Sequence, residues 1–362
     1  MTAVLESPAS PTRLRVSGAT AARRRSGVLA TGWSRGLGLA AAGGVLLLVT
    51  FASIAYGSKP IGLGTVWDAL WHVDPTDNDH LIVRSLRIPR TGIGLAVGAA
   101  LGLAGAVMQG LTRNPLADPG ILGVESGAAL AVVAAISGLG VSTPSGYVWF
   151  ALLGAAIASA VVYGLGSLGR GGATPVKLAI AGSALAWLFS SLTSAILLLD
   201  VSTLDEYRFW VVGSLAGRGS EIAIQVLPFL AVGAVLALGS ARALDALALG
   251  DDVARSLGQR VGITRAVAAL SVVVLSGAAV AATGPIGFVG LTIPHVARAI
   301  CGPDHRWLLP WSAVLGPILL LGSDVVGRLV ARPGELQVGI VTAIIGAPCF
   351  VLLVRRRRLV EL

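Results

Sequence analysis

The chain alternates long apolar runs with short polar segments. Each run is roughly 17 to 25 residues long, the length that a bilayer requires. Ten such runs fall at 36–56, 91–111, 120–138, 147–168, 177–199, 222–240, 263–283, 286–301, 308–330 and 338–354. The pattern predicts an all-α polytopic membrane protein with about ten transmembrane helices, which form one domain over residues 36–354.

Basic segments flank this domain. Residues 1–35 are polar and rich in Arg, and the first apolar run after them is a full span without a signal-peptide cleavage site. We therefore expect residues 1–35 to be a disordered basic cytoplasmic tail and residues 355–362 to be a second basic cytoplasmic tail. Placing both tails and alternate loops in the cytoplasm puts nineteen Lys and Arg there and eight on the other side. That asymmetry satisfies the positive-inside rule and predicts that both termini are cytoplasmic.

The composition places the chain among membrane proteins. Of its 362 residues, 55% are apolar and 12% are charged, with a mean hydropathy of +0.83, whereas soluble domains have about 25% charged residues. The net charge of +9 could indicate a nucleic-acid partner, but the membrane orientation accounts for the arginines. We expect contact with membrane lipid and none with nucleic acid. Cys301 and Cys349 lie far apart in apolar runs, so neither a disulfide framework nor a metal cluster is predicted.

Small residues mark one face of the second apolar run. Gly94, Gly98 and Gly102 are spaced four apart, which leaves one helix face without side chains. We expect a neighbouring helix to pack directly against this backbone.

Several helix-breaking residues interrupt the apolar runs. The turn N-P-L-A-D-P-G cannot continue a helix, because its prolines lack an N–H donor. In lipid, broken backbone persists only where protein or a water-filled cavity covers it, so these breaks predict a pathway through the bundle. The residues assigned to pathway and helix breaks are Asn114, Pro115, Pro119, Gly284, Pro285, Pro294 and His295.

A short amphipathic helix is predicted in the loop Leu249–Gly258. Leu249, Val253 and Leu257 form an apolar stripe with a spacing of four, Asp251 can cap the helix, and Gly258 can end it. Asp251 and Arg255 are expected to pair at i,i+4 on another face. Such a helix is too short to be stable alone. It can occupy a groove in a partner or lie on lipid headgroups, and these residues alone do not decide between the two.

The chain carries no recognisable catalytic or cofactor motif. The phosphate-binding G-x-x-x-x-G-K-[ST] and the zinc-binding H-E-x-x-H are both absent from the sequence. We therefore expect a pathway rather than an enzyme, without a cofactor or metal site, whose energy comes from a partner or an ion gradient.

Seven segments, in order over about residues 86–354, resemble the permeases of bacterial ATP-binding-cassette importers for iron chelates and cobalamin. The resemblance is closer to the ferric-catecholate siderophore permeases than to the vitamin B12 permease. The segments are L-R-I-P-R-T (86–91), the G-A-A-L to N-P-L-A-D-P-G-I-L-G stretch (98–123), R-F-W-V-V-G-S-L-A-G-R (208–218), L-G-D-D-V-A-R-S-L-G (249–258), G-P-I-G-F-V-G-L-T-I-P-H-V-A-R (284–298), G-P-D-H-R-W-L-L-P (302–310) and G-E-L-Q-V-G-I-V-T-A-I-I-G-A-P (334–348).

The resemblance implies a type II importer permease in the bacterial cytoplasmic membrane. It implies ten helices per subunit, a second permease subunit, two cytoplasmic ATPase subunits, and a lipid-anchored or periplasmic substrate-binding protein outside. The second subunit is a copy of this chain or, as we favour, a paralogue. The implied cargo is a ferric siderophore, with haem or cobalamin as alternatives.

The resemblance also assigns roles to particular residues. It implies cytoplasmic coupling helices near 243–260 that grip the ATPase, which favours the partner groove over the headgroups. The assigned coupling residues are Leu249, Gly250, Asp251, Asp252, Val253, Ala254, Arg255, Ser256, Leu257 and Gly258. Arg87, Arg90 and Arg328 are implied to receive glutamates of the binding protein, and the alternative for each is snorkelling to the headgroups.

Ionisable residues inside the apolar runs permit a different mechanism. Asp324 lies four residues before Arg328, so an ion pair is expected there. Glu125 stands where the resembled permeases have a small polar residue, and His295 is expected to order the Pro294 break rather than bind iron. A proton-coupled secondary transporter using Glu125, Asp324 and His295 as a relay remains the alternative.

The segment 200–221 mixes charged and aromatic residues and is too polar to span the bilayer. We expect it to be a re-entrant or interfacial helix, with Trp210 at an interface.

Overall fold

The computed structural model describes residues 27–29, 31–169 and 174–356, and every regular element within them is helical. A π-helical turn, Val83–Arg87, joins α3 to α4, and a 3₁₀ turn, Pro119–Leu122, precedes α5. The helices are α1 (Gly32–Ala55), α2 (Leu63–Trp71), α3 (Asn78–Ile82), α4 (Ile88–Thr112), α5 (Val124–Leu139), α6 (Pro144–Ser167), α7 (Pro175–Leu199), α8 (Val201–Val211), α9 (Ser220–Gly239), α10 (Ala241–Ala248), α11 (Asp251–Ser256), α12 (Val261–Thr283), α13 (Val289–Cys301), α14 (His305–Val330) and α15 (Val338–Arg356).

Each predicted apolar run corresponds to a helix, which confirms the fold class. In the described part of the chain, seven helical stretches are long and apolar enough to cross a membrane, and α5, α13 and α15 contribute three shorter apolar helices. The prediction of a full span over 286–301 is wrong, because α13 has only 13 residues. At 1.5 Å per residue it covers about 20 Å, short of the ~30 Å hydrocarbon thickness.

Both tail boundaries differ from the prediction. Helix α1 begins at Gly32 because Thr31 and Ser34 form a capping box. The backbone N–H groups of Val28 and Leu29 donate to the carbonyls of Ala299 and Ile300, so the chain is already ordered before residue 35. At the other end, α15 continues to Arg356. Residues 1–26 and 357–362 lie outside the described residues.

Helix α4 is the centre of the bundle. In the apolar stretch that contains it, 78% of an 18-residue window is buried. It packs against α9, α12, α13 and α14. Because α4 is apolar all round, it has no polar face for solvent, and neighbouring helices pack against every side of it.

The glycine face predicted for this helix is confirmed. A Cβ on Gly98 would lie 2.6 Å from the Cα of Pro317, and one on Gly102 would overlap the Ser312 carbonyl. Both contacts are with the backbone of α14. Gly105 makes an equally close approach to Gly290 on α13. The glycines therefore let two helices reach the α4 backbone directly.

The two ends of α4 define the two sites described below. Its C-terminal end meets α10, α11 and the first residues of α12 and α14, and we call this the Asp251 end. Its N-terminal end meets the last residues of α1 and α14, and we call this the Asp324 end. The 25 residues of α4 separate the two ends by about 37 Å.

Gly98→Ala is expected to lower the stability of the bundle, because the new methyl group would collide with backbone that has no rotamer to change. Overpacking of this kind costs about 1–3 kcal/mol. Thermal unfolding of the detergent-purified protein measures the effect as a lower melting temperature. Gly92→Ala is the matched control, because it lies on the same helix and its Cβ would meet nothing within 4 Å. A Gly98→Ala protein that melts with the Gly92→Ala control would contradict this packing.

Candidate functional sites at the two ends of the central helix

At the Asp251 end, two glycines set the limits of α11. Gly250 precedes the helix with φ +108°, and Gly258 follows it with φ +81°. Both values lie in the left-handed region that favours glycine. The prediction that Gly258 ends this helix agrees with the structure, where Leu257 is the C-cap residue and Gly258 follows it.

The predicted roles of Asp251 need correction. Gly250, not Asp251, occupies the N-cap position. Asp251 forms ion pairs with Arg113, at the end of α4, and with Arg265 on α12, the latter at 2.9 Å. Arg255 pairs with the exposed Asp252 at 2.8 Å, so the predicted Asp251–Arg255 pair is absent. Two arginines on neighbouring helices draw the Asp251 carboxylate inward, and α11 is tied to the bundle through that side chain.

The apolar stripe of this loop faces away from the subunit. Leu249, Val253 and Leu257 are 48%, 44% and 61% exposed, whereas Ala254 on the opposite face is fully buried. The short helix therefore presents a row of apolar side chains outward while Asp251 and Ala254 hold it in place. An exposed apolar row on a fixed helix is typical of a surface that another protein or the membrane covers.

A second polar contact at the Asp251 end, between α10 and α14, was not predicted from the sequence. The backbone N–H and Nδ1 of His305 lie 2.9 and 2.7 Å from an Asp245 carboxylate oxygen. The His305 ring also packs on Gly110 of α4. This pair joins α10 to the start of α14. The G-P-D-H segment was visible in the sequence, but nothing in it indicated a partner on α10.

The first predicted helix break is closed by local hydrogen bonds. The side chain of Asn114 accepts from the Leu116 N–H at 2.9 Å, and Asp118 accepts from the Gly120 N–H at 2.8 Å. Pro119 begins the 3₁₀ turn. His295 Nε2 donates to the Pro115 carbonyl at 2.7 Å, so the structure brings His295 to this turn. The imidazole therefore holds this first turn, and not a break at Pro294, which was the role expected for it.

The second break lies at Gly284 and Pro285, as predicted, but not at Pro294. Helix α13 runs through Pro294, so no break occurs there. The chain leaves helical geometry between Gly284, with φ +76°, and Phe288, with φ +69°, and Pro285 lies in between. Near Pro294, the Leu291 carbonyl accepts a 3.2 Å hydrogen bond from Gln109 of α4. Pro294 leaves the Gly290 carbonyl, four residues earlier, without its helical donor, and that carbonyl packs against Gly105 of α4.

Trp210 is buried rather than interfacial. Helix α8 is too short to span, as predicted, but Trp210 is 2% exposed and its ring stacks on Tyr207 with a centroid separation of 6.0 Å. The Trp210 carbonyl also sits where a Cβ of Gly284 would be. The tryptophan therefore packs against the break after α12.

At the Asp324 end, a buried carboxylate joins two arginines. Asp324 is fully buried and lies 2.9 Å from Arg328, which confirms the expected i,i+4 pair, and 2.7 Å from Arg90 of α4. Arg328 also donates to the Ser53 carbonyl of α1 at 3.0 Å. Each charge is thus paired and hydrogen-bonded, which is the condition for burying ionised groups in this setting.

The three arginines predicted to dock a partner are bound within the subunit. Arg87 is 4% exposed and donates to the carbonyls of Ile54, Ala55 and Lys59. Arg328 is 1% exposed. Arg90 divides its guanidinium between Asp324 and the loop residue Glu335, the latter at 2.7 Å. Docking by these arginines stays a prediction, and each of them also stabilises the helix ends.

A cavity of about 270 Å³ opens beside these arginines. Burial would raise the pKa of Glu335, but hydrogen bonds from Arg90 and Ser58 and the charge of Arg90 hold that pKa below its ordinary value. Five cations and one carboxylate line the cavity: Lys59, Arg87, Arg90, Arg218, Arg328 and Glu335.

The members of the predicted proton relay do not meet. Glu125 lies in the first turn of α5, where its carboxylate approaches Gly120 beside the turn that follows α4. Asp324 lies near the opposite end of α4. About 37 Å of helix separates the two ends, so these carboxylates do not form one continuous site.

The chain matches known transporter subunits over most of its length. It is 44% identical over 312 residues to the probable siderophore transport system permease protein YfiZ of Bacillus subtilis (strain 168), covering 86% of this chain and 93% of that protein. It is 45% identical over 314 residues to the ferric enterobactin transport system permease protein FepD of Escherichia coli (strain K12), with the same coverage of 86% and 93%.

Solved structures agree with these relatives. A metal-chelate type ABC transporter in an inward-facing conformation superposes with a TM-score of 0.77 at 30% identity, covering 89% of this chain and 100% of that chain. The profile of the FecCD transport family matches residues 45–356, a range that contains both ends of α4, the α11 loop and the Asp324 cluster. The chain therefore belongs to the FecCD transport family.

Proposed function

We propose that the chain is the membrane permease subunit of an ABC importer that moves a ferric siderophore across the bacterial cytoplasmic membrane. The observation that carries the proposal is the exposed apolar stripe of Leu249, Val253 and Leu257 along the α11 loop, which is held to the bundle through Asp251. Family membership supports the same assignment. ATP hydrolysis belongs to two partner ATPase subunits, because the chain has no phosphate-binding motif of its own.

The geometry supports a route by which ATPase movement reaches the bundle. The stripe of Leu249, Val253 and Leu257 fills a groove of the ATPase subunit. Displacement of α11 then acts on α4 and α12 through the Asp251 ion pairs with Arg113 and Arg265. Because α4 is packed against backbone on two sides, it moves as a rigid rod, and the two permease subunits rock between inward- and outward-facing states.

The orientation follows from the same assignment. The Asp251 end and both termini face the cytoplasm, and the Asp324 end faces outward, where a lipid-anchored or periplasmic substrate-binding protein docks. Arg87, Arg90 and Arg328 shape that docking end. Arg90 is the member that a partner carboxylate can reach, since Glu335 is its exchangeable ligand while Asp324 is fully buried.

The cargo assignment rests on relatives named for siderophore and ferric enterobactin transport. Haem and cobalamin are the alternative cargoes. Radioiron uptake with purified siderophores distinguishes a siderophore permease from a permease for either of these. The second permease subunit is a paralogue or a copy of this chain. Co-purification of tagged and untagged copies from one cell distinguishes the two.

Leu257→Asp is expected to abolish uptake, because it places a charge in the apolar stripe. Burying a leucine contributes about 1.5–3 kcal/mol, so the ATPase subunits should bind at least ~10-fold more weakly. Radioiron uptake into vesicles and co-purification of the ATPase measure the two effects. Docking of the binding protein at the far end should remain intact.

Leu168→Asp is the control for that variant. Leu168 follows α6 at the same end of the bundle and is 67% exposed, but it lies outside the stripe. It should transport normally. Normal uptake by Leu257→Asp would remove the coupling mechanism, and uptake that follows the proton gradient without any ATPase would favour a secondary transporter.

Glu335→Gln is expected to tighten docking of the binding protein. The substitution frees one side of the Arg90 guanidinium for an incoming carboxylate while the Asp324 pair stays in place. An exposed pair of this kind is worth about 0.2–1 kcal/mol, so affinity should rise up to about fivefold. Biolayer interferometry with the permease complex in lipid nanodiscs measures the change. Unchanged or weaker binding would mean that Glu335 does not compete for Arg90.

A further inference from the structure

Arg218 differs from every other cation that lines the cavity at the Asp324 end. Arg90 and Arg328 share Asp324, Lys59 pairs with Asp79, and Arg87 is surrounded by three backbone carbonyls. Arg218 makes one long contact, from Nε to the Ser214 carbonyl at 3.4 Å. Among the residues that the structure describes, no carboxylate lies within ion-pair distance of its guanidinium.

This unpaired cation is also buried. Arg218 is 9% exposed and lines the same cavity as Arg90 and Glu335. Burial lowers the pKa of its guanidinium from the ordinary value, which reflects the cost of holding the charge there. On α8, the helix before this loop, Glu206 already accepts a hydrogen bond from the Tyr147 hydroxyl at 2.6 Å. A buried cation without a counter-charge favours an anion arriving from outside the chain.

The size of the cavity selects the kind of anion. Its volume of about 270 Å³ is below the ~300–1,000 Å³ of pockets that enclose drug-sized ligands. A Glu or Asp side chain fits within this volume. Arg offers a planar fork that matches a carboxylate with two parallel hydrogen bonds.

We propose that Arg218 is the receptor for a carboxylate side chain of the substrate-binding protein, which enters this cavity when that protein caps the Asp324 end. The proposal rests on the function proposed above and narrows it. Arg87 and Arg328 shape the cavity from within, and Arg218 supplies the unmatched positive charge that the partner neutralises.

Arg218→Gln tests the proposal in the complete permease–ATPase complex in lipid nanodiscs. The probe is the purified binding protein that supports iron-chelate uptake by the wild-type complex in vesicles. Loss of one partner of a buried charge pair should weaken its binding by about 30-fold or more. Arg218→Lys, which keeps a point charge but loses the fork, should recover part of that affinity.

Arg208→Gln is the matched control. Arg208 lies on α8, the helix that leads into the Arg218 loop, but its side chain is 59% exposed and it already pairs with Asp205. Arg208→Gln should change the affinity for the binding protein by no more than about threefold. ATPase co-purification and the melting temperature confirm that each variant is folded.

The possible outcomes separate this inference from the proposed function. If the wild-type complex binds no substrate-binding protein, the proposed function fails. If the wild type binds and Arg218→Gln binds equally well, or if Arg208→Gln loses as much affinity as Arg218→Gln, only the assignment of Arg218 fails. Recovery of binding between Arg218→Glu and an acid-to-lysine variant of the binding protein would identify the carboxylate.

Discussion

The close backbone contact between α4 and α14 is the constraint on which the rest of the structure depends. Gly98 and Gly102 allow the two helices to approach without intervening side chains, and Gly105 repeats the approach toward α13. In a bilayer no hydrophobic force drives helices together, so close packing has to supply the attraction. A central helix surrounded in this way has little freedom to bend. It links its two ends mechanically, and both candidate sites are built on those ends.

Ion pairs fix the position of α4 along its own axis, which packing alone does not determine. A glycine-lined helix can slide along its axis, because its smooth face offers few ridges that set a register. Ion pairs at each end of α4 prevent this: Arg113 binds Asp251, and Arg90 binds Asp324. Both arginines belong to the central helix or its last turn, and both carboxylates belong to other helices. Breaking a buried pair by removing one partner costs about 3–5 kcal/mol, so the fully buried Asp324 specifies the register of α4 more strongly than the partly exposed Asp251 pair does.

The sequence was sufficient for features that depend on local spacing. Apolar runs predicted the helices, the four-residue spacing of Gly94, Gly98 and Gly102 predicted the packed face, and Asp324 with Arg328 predicted an ion pair. These features were predictable because their partners lie on one helix or repeat with its period.

Features that depend on distant partners could not be predicted. Asp251 was assigned to Arg255 by spacing, but Arg113 and Arg265 come close only in the folded bundle. Pro294 was predicted to break a helix, because the sequence does not show that α4 packs against the Gly290 carbonyl, which this proline leaves without its helical donor. For the same reason, Arg87 looked free for docking until the carbonyls at the end of α1 were in place. Polar groups in apolar surroundings take whichever partner tertiary packing provides.

The contrast between α4 and α13 indicates where the bundle can change shape. Helix α4 is continuous and anchored by charge at both ends, whereas α13 is short and is bounded by the irregular segment 284–288 and by Gly302, with φ +86°. Besides the close approach of Gly290 to Gly105, its polar attachments to the α4 side are hydrogen bonds: Gln109 to the Leu291 carbonyl, Arg298 to the Gln109 side chain, and His295 to the Pro115 carbonyl. Such bonds can exchange one partner for another at a net difference of about 1 kcal/mol, far less than the cost of breaking a buried ion pair. The ends of α13 are therefore held less firmly than the Asp324 end of α4, where a fully buried carboxylate joins two arginines.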